Sequence, residues 1–139
     1  MRFLHTAISV QTRGKGLYPF TRPVADWLAK QRVSSGQLTV FVQHTSCSLV
    51  IQENADPDVV LDLRDFFERL VPESGTGYRH TAEGPDDMTS HIRSALTHCS
   101  ETIPIIDGEL ALGTWQGLYV FEHRRHPHHR RVVLQVLCE

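Results

Sequence analysis

Side chains able to do chemistry are densest in residues 78–91, Tyr-Arg-His-Thr-Ala-Glu-Gly-Pro-Asp-Asp-Met-Thr-Ser-His. His80 and Glu83 fall in a turn-rich stretch, Asp86 and Asp87 at a helix start, and His91 about one turn into that helix. Imidazoles beside carboxylates suit zinc or another borderline divalent metal, and an open coordination position lets the ion polarise a substrate or activate water. In that reading Glu83, Asp86 and Asp87 are the candidate catalytic carboxylates, with Glu83 or Asp86 placed to deprotonate water. The spacing of His80 and His91 matches neither HExxH nor another strong zinc signature, so a second reading stays open. In it both aspartates cap or flank the helix and His91 is a hydrogen-bonded core residue.

His44 continues a strand face carrying Leu38, Val40 and Val42, so its ring is partly sheltered and requires hydrogen-bond partners or a metal. A metal site would need His44, His80 and His91 to converge. Asp56 is explained as a helix cap, whereas Asn54 offers a carboxamide that can orient a ligand or fix the His44 tautomer. Residues 113–117, Gly-Thr-Trp-Gln-Gly, form either a turn or bulge or a pocket wall in which Thr114, Gln116 and backbone amides bind an anion or heterocycle. The run His-Arg-Arg-His-Pro-His-His-Arg-Arg, residues 123–131, reads as an exposed loop between strands, from which Arg124 and Arg130 can reach a phosphate. No Ser-His-Asp order or nucleophile elbow supports covalent hydrolysis, and nothing beside Cys47 marks an activated thiol.

Leu4, Thr6, Ile8 and Val10 alternate as a strand that Gly14 and Gly16 break. Thr21 is placed to cap a helix over 22–30, with Val24, Trp27 and Leu28 on one face. Residues 38–43 and the stretch after a bend near Ser46 read as strands, followed by a helix with Asp56 as cap, Pro57 first, and Val59, Leu63, Phe66, Phe67 and Leu70 as its apolar stripe. A loop over 73–86 leads to a third helix, capped by Asp86 or Asp87, whose stripe is Met88, Ile92, Ala95 and Leu96. Residues 102–106, 109–113, 117–122 and 131–137 complete the chain as strands, the first two joined by Asp107-Gly108. Segregated helices and closely spaced late strands predict an α+β domain with a mixed, mainly antiparallel sheet and about three helices over 1–139. No GxGxxG follows the first strand, so dinucleotide binding lacks its motif.

At 139 residues the chain fits one domain and one core. Fourteen basic and sixteen acidic residues leave a net charge of −2, which gives no electrostatic reason to expect nucleic acid or an anionic membrane as partner. Cys47, Cys99 and Cys138 form neither a disulfide framework nor a zinc knuckle, which fits a reducing compartment. The N-terminus is interrupted by His5, Thr6 and Ser9, unlike a signal peptide, and no stretch approaches a membrane-spanning length, so the cytoplasm is the expected location.

Four stretches carry a further signal: HTSCSLVIQENADPDV at 44–59, YRHTAEGPDDMTSHI at 78–92, TIPIIDGELALGTWQGLYVFEHR at 102–124, and Arg130-Arg-Val-Val. In order and content they resemble the family called secondary thiamine-phosphate synthase enzyme, or YjbQ-like. The resemblance implies a compact α+β domain assembled as a homotrimer with polar clefts near the subunit interfaces. It implies His44, His80 and His91 as ligands of a divalent metal such as zinc, with Asn54, Thr114, Trp115, Gln116 and Arg124 around a small phosphorylated metabolite. The implied activity is a transferase-like side reaction joining a pyrimidine pyrophosphate to a thiazole phosphate; phosphoester hydrolysis and noncatalytic metabolite binding or assembly are the alternatives. Cys47 stands where alanine is common, which argues against a family nucleophile there, and Thr89-Ser90 replaces a frequent Pro-Ala.

Overall fold

Period-two alternation at the two ends of the chain sets the frame. In the computed structural model, which describes residues 1–74 and 77–139, β1 (Arg2–Thr12) pairs antiparallel with β8 (His128–Cys138) in the register Leu4↔Val136, Thr6↔Leu134, Ile8↔Val132 and Val10↔Arg130. One face of this pair therefore carries the β-branched and leucine side chains toward the core. β3 (Gly36–Val42) joins the other edge of β8, with Leu38, Val40 and Val42 opposite Val136, Leu134 and Val132. β5 (Ser100–Ile106) and the short β6 (Glu109–Leu110) extend the sheet to five strands in the order β1-β8-β3-β5-β6. The β5–β6 turn is Asp107-Gly108, with positive φ at both residues, as expected for this dipeptide in a hairpin.

A second sheet has the order β2-β7-β4, from β2 (Gly16–Pro19), β7 (Gln116–Glu122) and β4 (Cys47–Glu53). β2 was not expected: Gly16 reads as a breaker, yet it opens a strand with φ of 153°, opposite Glu122. All pairings of the named strands are antiparallel. Leu49, Leu118 and Val120 turn one face of this sheet toward the five-stranded sheet, and α1 (Thr21–Gln31) adds Val24 and Leu28 to the same core. Fully burying each such side chain contributes about 1.5–3 kcal/mol. Leu17, Tyr119 and Phe121 occupy the opposite face, against α2 (Pro57–Leu70). The order is thus five-stranded sheet, three-stranded sheet and α2, with α1 packed into the core shared by the two sheets.

Several helix details depart from expectation. Asp56 does cap α2, accepting the Asp58 N–H at 2.9 Å, with Pro57 at the first position. Thr21 does not cap α1; it is the first helical residue, and its hydroxyl accepts the Leu118 N–H at 2.8 Å, tying the helix to β7. Of the α2 stripe, Leu63 and Phe67 pack on the second sheet, whereas Phe66 and Leu70 are about half exposed. The largest correction concerns α3 (Asp87–Leu96), whose buried residues are Asp87, Thr89, Ser90 and Arg93. Met88 and Ile92 are only partly buried, and Ala95 and Leu96 are exposed. This helix docks through polar groups because Arg93 reaches beneath α2 to Glu68 and the Val71 carbonyl. No described helix is long and apolar enough to cross a membrane.

Candidate functional site

The loop before α3 turns at Gly84, where φ of 104° disfavours any side chain and sets up the two aspartates that follow. Neither aspartate caps α3 with its side chain. Arg124, immediately beyond β7, claims both: its Nε donates to Asp86 Oδ2 at 3.0 Å and its Nη1 to Asp87 Oδ1 at 2.5 Å, while Nη2 donates to the Glu83 carbonyl. Asp86 also accepts the Arg125 N–H. Burial pushes both carboxyls up, but the hydrogen bonds and the Arg124 charge outweigh it and hold them below the usual aspartate range, helped at Asp87 by His80 and His91. Arg124, expected to bind substrate, is therefore occupied in positioning carboxylates.

Asp87 Oδ2 is left facing two imidazoles. It lies 2.5 Å from His80 Nε2 and 3.1 Å from His91 Nε2, with the two ring centroids 5.5 Å apart. The ligand atoms of His80, Asp87 and His91 all lie within 4.8 Å of one another. His91 is one third exposed at its side chain, and its other nitrogen, Nδ1, lies 2.8 Å from the Thr45 carbonyl. That carbonyl can only accept, so Nδ1 carries a proton and the Nε2 lone pair of a neutral ring points at a carboxylate oxygen. Two imidazoles and a carboxylate gathered in this way form a site with ligand types suited to zinc, iron or a similar divalent ion. Glu83 is exposed, and its carboxylate accepts no hydrogen bond among the described residues.

His44 does not join this group. Its Nε2 accepts the Arg131 N–H at 2.8 Å, and its Nδ1 lies 3.4 Å from Arg130 Nη1. Arg130 forms a buried ion pair with Glu122, donating from Nε to Oε2 at 2.7 Å and from Nη2 to Oε1 at 2.5 Å, and it also donates to Ser46. Glu122 further accepts from the Thr12 hydroxyl and from the N–H groups of His123 and Arg124. One carboxylate thereby braces the Ser46 bend that carries Thr45 and the residue that aims Asp87.

The other expected binding residues lie at the far end of β7. Asn54 Nδ2 approaches the Thr114 and Gln116 carbonyls at 3.5 and 3.4 Å, Gln116 accepts the Gly113 N–H, and Trp115 is mostly exposed. β4 runs from Cys47 to Glu53, so Asn54 stands at the opposite end from His44 and cannot fix its tautomer. The seven-residue β7 separates this group from Arg124 by about 20 Å along the strand.

Residues 6–139 match the family described as UPF0047 protein YjbQ-like. A UPF0047 protein of Synechocystis sp. is 55% identical over 130 residues, 94% of this chain and 88% of that protein. The chain belongs to the YjbQ-like UPF0047 family. The UPF0047 protein YjbQ of Escherichia coli O157:H7 is 40% identical over 127 residues, 91% of each chain. Among solved structures, a conserved hypothetical protein from Thermus thermophilus superposes with a TM-score of 0.85 at 32% identity, covering 95% of this chain and 99% of the other.

In this YjbQ-like chain the 123–131 run is not simply an exposed loop. His123 and Arg130 are buried, and β8 already begins at His128. His123 Nε2 pairs with Ser48 Oγ at 2.8 Å, its Nδ1 has no partner among the described residues, and burial together with the Arg93 charge pushes the imidazole down to about 3. Cys47 is buried, and burial pushes its thiol up to about 12, away from the thiolate form. The sequence reading missed Glu122, Arg130 and the Thr45 carbonyl as parts of this framework. A signal for Arg130 was present: it falls in phase with Val132, Leu134 and Val136, and a charge on a core face demands a buried partner. A backbone carbonyl leaves no such mark.

Proposed function

We propose that this chain is a metal-assisted enzyme acting on a small phosphorylated metabolite, with His80, Asp87 and His91 as ligands. The observation that carries this reading is the proton inventory of His91. Its two nitrogens face two oxygens, the Thr45 carbonyl and the Asp87 carboxylate, and a neutral ring can donate to only one. His80, Asp87 and His91 would hold a divalent cation, which would take the place of the second ring proton that an imidazolium needs to satisfy both oxygens, and the Thr45 carbonyl would fix the His91 tautomer as supporting partners of metal-bound histidines do. When bound, the ion would supply Lewis-acid polarisation of a phosphoryl or pyrophosphoryl oxygen. His44 is not in the proposed ligand set. Arg124 keeps Asp87 ionised and aimed, and with Asp86 engaged by Arg124 and Arg125, Glu83 is the carboxylate left to accept a proton.

The best named reaction for assay is formation of thiamine phosphate. The thiazole nitrogen forms a C–N bond to the pyrimidine methylene carbon while its C–O bond to pyrophosphate breaks, and pyrophosphate leaves with the bonding pair. Metal-dependent phosphoester hydrolysis is a second reading, favoured by the exposure of Glu83 to water. Trp115, the natural stacking surface for a heterocycle, lies at the other end of β7, so a homotrimer in which one subunit's Trp115 faces the next subunit's His80 would complete the site. The test is metal analysis of reloaded protein, with product analysis using the pyrimidine pyrophosphate with and without the thiazole phosphate. Retained metal with coupling or hydrolysis is expected. No retained metal and no turnover would leave a noncatalytic metabolite-binding or assembly role.

A further inference from the structure

Met88 directly follows the proposed ligand Asp87, yet it belongs to neither hydrophobic cluster and is only partly buried. α3 docks through Asp87, Thr89, Ser90 and Arg93, which leaves the Met88 thioether for a different surface. That surface is a cleft of about 530 Å³, walled by Tyr78, Pro85 and Met88 together with Glu73, His80 and Thr81. Its volume falls within the range of small-metabolite sites, about 300–1,000 Å³. His80 belongs both to the cleft wall and to the ligand group, where its Nε2 lies 2.5 Å from Asp87 Oδ2, and its side chain is 40% exposed. A molecule lodged in the cleft therefore lies against one of the three proposed ligands.

The chemistry of the walls selects what can lodge there. Tyr78, Pro85 and Met88 offer an aromatic face, a pyrrolidine ring and a polarisable thioether, surfaces that gain by contact with an apolar or aromatic group. No lysine or arginine lines the cleft among the described residues, and its one carboxylate, Glu73, is already paired with Lys15 and Arg125. A phosphoryl group thus finds no cationic partner in the cleft itself, whereas the group formed by His80, Asp87 and His91 borders it. We infer that this cleft is a specificity pocket for the organic part of the phosphorylated metabolite, a compact apolar or aromatic group, with the phosphoryl end toward His80. Sugar phosphates are disfavoured, because their hydroxyls would lose water against Tyr78, Pro85 and Met88 without gaining partners. The inference rests on the proposed function for the phosphoryl end, while the wall itself needs neither the metal nor a neighbouring subunit.

The chain has two methionines, Met1 and Met88, so full-length protein carrying 13C-methyl methionine reports on the cleft directly. Met88→Leu assigns the two signals, and spectra are recorded on chelator-treated and on zinc-reloaded protein. Phenyl phosphate, ribose 5-phosphate and inorganic phosphate are titrated in parallel. Phenyl phosphate is expected to shift the Met88 signal saturably through its ring current while Met1 stays in place, and to bind about tenfold or more tighter than ribose 5-phosphate. Thr81→Trp fills the cleft from an exposed position and should remove the shift that phenyl phosphate causes, with the fold intact by circular dichroism. A Met88 shift that is the same with and without zinc would support the cleft while counting against the metal reading. No Met88 response to phenyl phosphate in either form overturns the cleft, and zinc-dependent binding of inorganic phosphate in the same samples would leave the metal reading standing. Equal affinity for ribose 5-phosphate, or an undiminished shift in folded Thr81→Trp, also overturns it.

Discussion

At the scale of single residues, the site depends on which charges are already engaged. Asp86 and Asp87 are buried and share Arg124, so Arg124→Met would strand two carboxylates and is expected to cost about 3–5 kcal/mol, read as a lowered urea midpoint. His91→Ala is a different kind of change. Alanine suits the helix and the ring is partly exposed, so helicity should persist by circular dichroism while retained metal falls sharply; unchanged stoichiometry would remove His91 from the ligand set. His123 makes a pH prediction whose sign follows from its lowered pKa. The unfolded chain protonates this residue near pH 6.5, whereas the folded chain keeps the ring neutral until about 3. The unfolded state therefore binds the extra proton, and stability present above pH 6.5 is lost as the pH falls toward 3, at a slope approaching about 1.4 kcal/mol per pH unit. His123→Gln should flatten this loss between neutrality and about two pH units lower, above the range in which most carboxylates titrate. An unchanged slope in denaturant melts would show that another group is responsible.

Elements show what periodicity can and cannot reveal. β1 and β8 were legible because a half-buried strand writes its core face into every second residue, whereas β3 was legible as a strand but its Val, Phe and Val content suggested cover on both faces, and Phe41 is 43% exposed opposite the buried Leu38, Val40 and Val42. α2 was legible at its start, where Asp56 and Pro57 mark the cap. It was less so on its flank, because Phe66 and Phe67 are adjacent in sequence but point in different directions. Phe67 stacks edge-on against Phe121 with centroids 5.1 Å apart, and Phe66 is about half exposed. Phe67 is only partly buried, so Phe67→Ala should cost about 1.5–3 kcal/mol and Phe66→Ala less than about 1 kcal/mol in subunit stability. Equal costs would place Phe66 in a packed environment. α3 misled because its orientation is set by ionic and hydrogen-bonding groups, Arg93 to Glu68 and Asp87 to Arg124, which leave no hydrophobic period. The candidate site was legible as a composition, since residues 78–91 do hold two of its histidines and its carboxylate. Its membership was not, because excluding His44 required the Arg131 N–H, a backbone group 87 residues away in sequence.

For the whole molecule, the fold places its polar groups at two poles. Glu122 ends β7 and Arg124, just beyond it, holds Asp87, whereas Gln116 begins that strand beside Asn54 and the exposed Trp115, about 20 Å away. A metabolite-sized ligand cannot bridge that span on one subunit, so if both poles serve one ligand they come from different copies. A closed head-to-tail ring satisfies this geometry, and for the proposed homotrimer light scattering is expected to give three times the 15.8 kDa subunit mass. The sharper prediction concerns mixing. His91→Ala spoils one pole and Trp115→Ala the other, so each pure assembly should lose turnover of the pyrimidine pyrophosphate. Dissociating and reassembling them together at equal concentration pairs an intact His91 with a neighbour's intact Trp115 at about one site in four, restoring about a quarter of wild-type turnover. If both poles acted within a single chain, no mixed assembly would contain an intact site. Activity that stays at the level of the separate variants after confirmed subunit exchange would therefore sink the shared-site arrangement while leaving the metal assignment to its own test.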